Sequence, residues 1–324
     1  MLNNKTIFLT GGTGSFGNHF TSTLIKKYKF KKLIIFSRDE IKQWDMRKKF
    51  EDKRIKFIIG DVRDSERVLE ASKNSEIIIH AAATKIVPTA EEFPSECIKT
   101  NVLGAMNIIS AAKKNNVQKV IALSTDKACN PINLYGATKL TSDKLFISNN
   151  EYKKKSTRFS IVRYGNVISS RGSVIPFFRS FKKNELIPIT HVDMTRFMLT
   201  LDDAVKLVII SLKNMRGGEI FVKKCPSIRL LDIAKAINEK FKFKIIGIRP
   251  GEKIHEEMIS KDDSRNTYEF KSFFKILPDM SDLKNLNLMK KKGKKVPLHF
   301  SYSSINNAQW LKYSELKKII QNIK

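Results

Sequence analysis

The sequence predicts an α/β fold, a doubly wound parallel sheet followed by a smaller C-terminal α/β domain. Three observations carry that expectation. Short β-branched runs alternate with helix-patterned segments through the first half, as βαβ units require. A Gly-x-x-Gly-x-x-Gly turn, Gly11-Gly12-Thr13-Gly14-Ser15-Phe16-Gly17, stands between the first such run and the first helix. After about Val167 the pattern changes: loops lengthen, and prolines recur at Pro176, Pro188, Pro226, Pro250, Pro278 and Pro297.

Residues 5–10 read as the first strand, followed by the glycine turn and a helix to about Lys27. Residues 32–36 form the second strand and 57–59 the third, which ends at Gly60-Asp61-Val62. A helix is expected over 65–72, the fourth strand over 77–80, and one long helix over about 96–114. The fifth strand takes 119–124, the next helix 135–149 and the sixth strand 159–162. This is a Rossmann-like dinucleotide domain over 1–168, with ligands at the C-terminal strand ends. A helix over 201–212 and a strand over 219–222 return to it, so 201–222 belongs with the first domain. Segments 169–200 and 223–324 are assigned to a substrate-binding domain. They include 231–241, a short strand over 244–248 and a helix near 254–259.

Composition narrows the partners. Apolar residues make up 41%, enough for a core. The longest apolar run, 77–83, falls far short of the ~20 residues of a membrane span. The N-terminus enters a strand without a signal-peptide layout, so a cytoplasmic location is expected. Cys97, Cys129 and Cys225 are scattered, with no Cys-x-x-Cys, and the five histidines lack ligand spacing. A reducing compartment and no metal are expected. Lys+Arg number 61 against 32 Asp+Glu, a net charge of +29. The lysines are spread along the chain as solvated faces, and no nucleic-acid motif accompanies them. Neither nucleic acid nor membrane is expected as a partner.

Within the glycine loop, Gly11, Thr13, Gly14, Ser15, Phe16 and Gly17 let the backbone approach a pyrophosphate at a helix N-terminus. The second strand ends in Ser37-Arg38-Asp39, with Lys42 one turn on. An NAD site prefers an acid at the strand end, whereas a hydroxyl and a guanidinium suit a 2′-phosphate. NADP is therefore favoured over NAD. Asp61 and Val62 lie at the adenine edge, and the small Ala81 and Ala82 let the cofactor lie close.

Tyr-x-x-x-Lys occurs at Tyr28…Lys32, Tyr135…Lys139 and Tyr313…Lys317. Only Tyr135 follows a central strand and opens a helix. The spacing puts Tyr135 and Lys139 one turn apart on one helix face. Lys139 and a cationic nicotinamide are expected to lower the Tyr135 pKa, so that the phenolate takes a sugar hydroxyl proton. Thr125-Asp126-Lys127 adds an acid and an amine that a simple dehydrogenase does not need.

The glycine loop, Asp61-Val62, the alanine run, Asn101, Thr125 and Tyr135…Lys139 resemble the extended short-chain dehydrogenase/reductase superfamily. Further segments narrow the resemblance, among them Asn130-Pro131-Ile132-Asn133-Leu134-Tyr135, Arg163-Tyr164-Gly165-Asn166-Val167, Met194-Thr195-Arg196-Phe197 and Ile248-Arg249-Pro250-Gly251-Glu252-Lys253. Over nearly the whole chain they resemble the inverting UDP-N-acetylglucosamine 4,6-dehydratase family that begins pseudaminic acid synthesis. The pattern departs around Thr84-Lys85-Ile86 and at Cys129.

The resemblance implies UDP-N-acetylglucosamine as substrate and a tightly bound NADP regenerated at each turnover. A C4 ketone acidifies the C5 proton. A base removes that proton while an acid protonates the departing C6 hydroxyl, and C6 is then reduced. Asp126 is the natural acid if burial raises its pKa. Lys127 is the natural C5 base if a desolvated pocket near Lys139 keeps it neutral. Retaining dehydratases of the superfamily carry Asp-Glu here, so Lys127 points to inversion. Lys127 and Tyr135 are both candidates to return the C5 proton. Thr125 stands where the superfamily hydrogen-bonds the reacting hydroxyl, and Lys85 reaches substrate or cofactor. By resemblance, Asn166 holds the substrate diphosphate, Arg196 and Arg249 contact the nucleotide diphosphate, and Glu252 contacts the ribose. Arg171, Val174 and Thr190 complete the substrate set. The resemblance also implies a homo-oligomer, a hexamer. Two alternatives stay open: a C5-retaining dehydratase or C4-epimerase, and an idle module that senses NADP or binds nucleic acid. Lys127 argues against the first, and intact Thr125, Tyr135 and Lys139 against the second.

Overall fold

The computed structural model describes residues 1–153, 156–168, 174–181, 185–279 and 282–321. The chain begins β1 (Thr6–Thr10), α1 (Ser15–Lys27), β2 (Lys32–Ser37), α2 (Glu40–Lys49), β3 (Ile55–Ile59), α3 (Ser65–Ala71) and β4 (Ile77–His80). It continues α4 (Val87–Glu92), α5 (Pro94–Ile98), α6 (Gly104–Lys114), β5 (Lys119–Thr125), α7 (Leu134–Ser148) and β6 (Arg158–Tyr164). Then come β7 (Asn166–Val167), α8 (Val174–Arg179), β8 (Leu186–Ile189), β9 (Thr195–Leu199), α9 (Leu201–Asn214) and β10 (Ile220–Lys223).

Seven parallel strands run in the order β3-β2-β1-β4-β5-β6-β10. Successive residues of β1 enter opposite cores: Phe8 packs with Phe36, Ile78 and Val120, whereas Ile7 and Leu9 pack with Ile35, Ile79 and Ile121. A sheet covered on both faces needs such unbroken apolar runs. The strand order reverses between β1 and β4, which opens a crevice at their C-terminal ends. A third core of Ile175, Phe178, Ile189, Met194, Ile233 and Leu316 lies in the later part of the chain. There β8 pairs with Lys242–Ile245 and β9 with Ser227–Arg229.

Three expectations need correction. The helix expected over about 96–114 starts at Pro94 and passes through a π turn at Lys99–Leu103. The widened turn carries Asn101, which donates to the Thr84 carbonyl (3.0 Å) and Thr138 Oγ1 (3.0 Å) and accepts from the Thr84 N–H (2.9 Å). The segment near 254–259 is extended, not helical: Glu257–Ile259 pairs antiparallel with Tyr302–Ser303. So short an apolar pattern fits either period. Lateral partners decide it, for the Glu256 N–H donates to Ser304 Oγ (2.9 Å) and its carbonyl accepts from the Ser304 N–H (2.7 Å). Finally, Thr267–Glu269 and Phe273–Ile276, expected in the second domain, extend the main sheet antiparallel beyond β10. Phe273 completes one face of that sheet, and Phe274 and Ile276 the other.

Candidate active site

The glycine turn shapes the cofactor end. Gly11 has φ +62°, and a Cβ there would stand 2.8 Å from the Ala81 and Ala82 backbone. At Gly17 a Cβ would lie 2.1 Å from the Gly12 carbonyl oxygen, so only glycine lets α1 rest on the turn. Gly14 is the N-cap of α1, whose first N–H groups therefore open toward the crevice. A dinucleotide pyrophosphate fits this cradle. At the ribose end, Asp39 caps α2 by accepting from the Lys42 N–H (2.9 Å) and pairs with Lys42 Nζ. Arg38 is 65% exposed and reaches Asp61 Oδ2 at 3.7 Å. Ser37 Oγ accepts from Gln43 Nε2 (3.2 Å).

A cleft of about 1240 Å³ runs from this turn past the ends of β4 and β5 to the Arg249–Glu252 loop. It reaches every site residue expected from the sequence except two. Gly17 lies behind the turn, and Arg171 lies outside the described residues.

Local geometry gathers the reactive groups. After β5, Asp126–Ala128 forms a single 3₁₀ turn in which Thr125 Oγ1 accepts from the Lys127 N–H (3.3 Å) and donates to Asp126 Oδ1 (2.9 Å). Helix α7 rests on this turn because of Gly136, where a Cβ would lie 2.2 Å from the Lys127 carbonyl oxygen. Asn133 caps α7 by accepting from the Gly136 N–H (2.8 Å), and its Nδ2 donates to the Gly251 carbonyl (2.7 Å). Tyr135, in the first turn of α7, lies beside Thr125, which acts to lower its pKa.

Burial raises the Asp126 pKa, with Glu256 adding to the rise and Lys127 opposing it. The rise is the condition on which Asp126 was expected to act as the acid. Lys127 departs from expectation. Burial acts to lower its pKa, but Asp126 and Glu256 outweigh burial and hold it above its ordinary value. The amine is protonated, with Nζ 3.1 Å from Asp126 Oδ1 and 2.9 Å from Glu256 Oε1. Tyr135 departs as well. Burial pushes it up to about 12, against the Thr125 hydrogen bond and the Lys127 charge. The nearby cation acting on it is Lys127, where Lys139 was expected. Burial lowers Lys139, against the pull of Asp143.

Two buried carboxylates escaped the sequence analysis. Asp143 accepts from Ser124 Oγ (2.7 Å) and lies 3.5 Å from Arg163 Nη2. It continues the Tyr135, Lys139 face of α7 by one more turn, a spacing that could have found it. Glu256 had no such signal, because its segment was read as a helix. Arg196 also sits differently from a free diphosphate ligand. Its Nη1 donates to the Thr195 (2.7 Å) and Ile254 (3.0 Å) carbonyls, and the guanidinium faces Glu252 (3.6 Å) and Glu256 (3.7 Å).

Known proteins share this architecture. Two Campylobacter jejuni proteins named UDP-N-acetylglucosamine 4,6-dehydratase (inverting) are 52% and 51% identical to the chain, covering 99% of it and 99% of their own lengths. A Rickettsia canadensis protein named UDP-glucose 4-epimerase is 42% identical over 99% of the chain and 96% of its own length. The X-ray structure of Pen from Bacillus thuringiensis superposes with a TM-score of 0.88 at 37% identity, covering 99% of this chain and 98% of that one. The dTDP-glucose 4,6-dehydratase DesIV from Streptomyces venezuelae, solved with NAD, has a TM-score of 0.69 at 19% identity, covering 76% and 86%, and so shares the fold. The family described as "Polysaccharide biosynthesis protein" matches residues 7–278. The chain belongs to that family, built on the extended short-chain dehydrogenase/reductase fold.

Proposed function

We propose that this protein is an NADP-dependent UDP-N-acetylglucosamine 4,6-dehydratase that inverts C5, forming UDP-2-acetamido-2,6-dideoxy-beta-L-arabino-hex-4-ulose. One observation carries this: a buried acid, Asp126, touches an amine, Lys127, beside Tyr135 in a cleft that begins at a dinucleotide turn. A C4-epimerase needs only hydroxyl proton transfer and cofactor redox, and has no use for that pair. The 52% identity to a named inverting dehydratase supports the substrate and the stereochemistry.

A bound nicotinamide, held by the glycine turn, would supply the hydride acceptor for oxidation at C4 and the hydride donor for reduction at C6. Tyr135 accepts the C4 hydroxyl proton. Asp126, whose pKa burial raises, gives a proton to the departing C6 oxygen. Thr125, beside Tyr135 and donating to Asp126 Oδ1, stands between the two. Through it, the proton taken at C4 can resupply the acid. Lys127 takes the C5 proton. Ser37 and Arg38 favour a 2′-phosphate, Asn166 and Arg249 hold the substrate diphosphate, and Glu252 the ribose. The enzyme works as a cytoplasmic homo-oligomer whose product feeds pseudaminic acid and the glycosylation of flagellin or other surface structures.

Proton NMR of UDP-N-acetylglucosamine in D₂O, with NADP⁺ or NAD⁺ and no added reductant, tests this. The expected result is a C6 methyl signal, deuterium at C5 and L-arabino couplings, with NADP⁺ the better cofactor. The same methyl with D-xylo couplings would remove inversion. UDP-N-acetylgalactosamine alone would make the enzyme an epimerase.

A further inference from the structure

As a base at C5, Lys127 must be neutral, yet it lies between two carboxyl groups. Glu256 is the nearer, Oε1 2.9 Å from Nζ, with a side chain only 2% exposed. Arg196 Nε holds Glu256 from another side at 3.7 Å, and the Glu256 backbone is pinned to Ser304. Glu256 Oε2 and Asp126 Oδ2 are buried without a hydrogen-bond partner among the described residues. A buried carboxylate oxygen without a partner is costly when ionised and far less so when its group carries a proton.

We propose that Glu256 is the proton acceptor for Lys127, taking a proton from Nζ once substrate fills the cleft and so leaving a neutral amine to act at C5. The inference rests on the dehydratase function proposed above and makes Glu256 a positioning residue that acts through Lys127. The transfer converts an ammonium and a carboxylate into an amine and a carboxylic acid with no change in net charge. Expelling water favours that neutral pair, because an ion pair loses more solvation. The other charged or titratable groups facing the pair are Asp126 on the same turn, Tyr135 from α7, Arg196 from β9 and Lys253 from the substrate loop. Burial pushes the Glu256 pKa up, but Lys127, Arg196 and Lys253 outweigh it and hold the carboxyl below its ordinary value, so the open cleft keeps Glu256 ionised and regenerates the acceptor.

The protons balance. Lys127 takes the C5 proton, and the C5–H electron pair becomes the C5–C6 double bond. The C6–O bond breaks, and its oxygen leaves as water with the Asp126 proton. C6 is then reduced by the cofactor and C5 protonated. If Lys127 delivers that proton, Glu256 recharges Lys127. If Tyr135 delivers it, the Glu256 proton passes through Lys127 to Asp126. Either way Glu256 ends ionised.

The test compares wild type, Glu256→Gln and Glu256→Asp by single-turnover methyl formation against pH. In the wild type the active tautomer forms without proton release, so the rate is flat from about pH 7 to pH 9. In Glu256→Gln the amine must lose its proton to solvent. Its rate falls roughly 10²-fold at about pH 7 and rises about tenfold per pH unit above it, with KM little changed. Glu256→Asp retains a carboxyl group and a flat, slower profile. Peptide mapping of Lys127 after treatment with an amine-selective acylating reagent, without substrate, gives a second readout. Lys127 is expected to react at lower pH in Glu256→Gln than in the wild type. A Gln profile parallel to wild type, a wild-type rate that climbs with pH, or unchanged labelling overturns the proposal. A wild type that makes no methyl product defeats the dehydratase function instead, and the labelling shift still decides whether Glu256 governs the amine.

Discussion

His80, at the end of β4, is 1% exposed, and burial, with Lys139 nearby, pulls its pKa down to about 3. Its Nδ1 lies 2.8 Å from Thr10 Oγ1, which also accepts from the Ala81 and Ala82 N–H groups at 3.2 Å. The pair thus ties β1 to β4 where the cofactor cradle begins. An unfolded histidine titrates near 6.5. Below that value the unfolded chain binds a proton that the folded chain refuses. The stability linked to His80 is complete above about pH 6.5 and is lost as pH falls toward 3, at up to about 1.4 kcal/mol per pH unit. His80→Asn keeps a polar group toward Thr10 and removes the titration. Urea unfolding at about pH 7.5 and pH 5 should show wild type losing roughly 2 kcal/mol more than the variant. Equal losses would place the acid sensitivity elsewhere. At this scale the grouping of Thr125, Asp126, Tyr135 and Lys139 in one cleft was legible, because it follows from spacing along one strand end and one helix. The sequence hid Glu256, which meets Lys127 only through a strand pairing far along the chain.

At the scale of elements, the Arg249–Glu252 loop and helix α7 are joined. Gly251 has φ +73°, and a Cβ there would stand 2.9 Å from Asn133 Cβ. The Gly251 carbonyl accepts from the same Asn133 that caps α7. Gly251→Ala meets both a left-handed backbone penalty of about 1–2 kcal/mol and that close contact. Steady-state kinetics should show KM for the nucleotide sugar rising roughly tenfold and kcat falling with it, because the cap that sets Tyr135 moves too. An unchanged KM would mean that loop and helix act independently. The strands were legible because a sheet buried on both faces writes continuous apolar runs. Helix α2 was not, for only Gln43 and Met46 of its residues are buried. What orders it is polar: the Asp39 cap, and Gln43 Nε2 donating to the Ser37 (2.9 Å) and Ile58 (2.8 Å) carbonyls. The π turn at Lys99–Leu103 was likewise hidden, since one extra residue per turn leaves the apolar pattern on either side intact.

Across the whole molecule, charge and apolar exposure oppose each other. The net charge of +29 repels a second copy. Yet Phe93, Ile98, Leu103 and Met106 are 52%, 42%, 45% and 48% exposed along the run from the start of α5 into α6. Among the described residues no helix is long and apolar enough to cross a membrane, so a bilayer-spanning helix does not account for that surface. Self-association through it would bury these side chains and set their gain against the repulsion. Repulsion between exposed charges weakens as the Debye length shortens from about 10 Å at 0.1 M salt to about 3 Å at 1 M, whereas apolar burial does not weaken. An assembly formed through this surface should therefore tighten as salt is raised, the opposite of one held by surface ion pairs. Light scattering on a sizing column should show the wild type as a multimer whose dissociation on dilution is suppressed at high salt. The double variant Leu103→Glu, Met106→Glu should run as a smaller species at either salt while keeping its far-UV spectrum. A wild type that is monomeric throughout, or a double variant of undiminished mass, would move the interface off this run of helices.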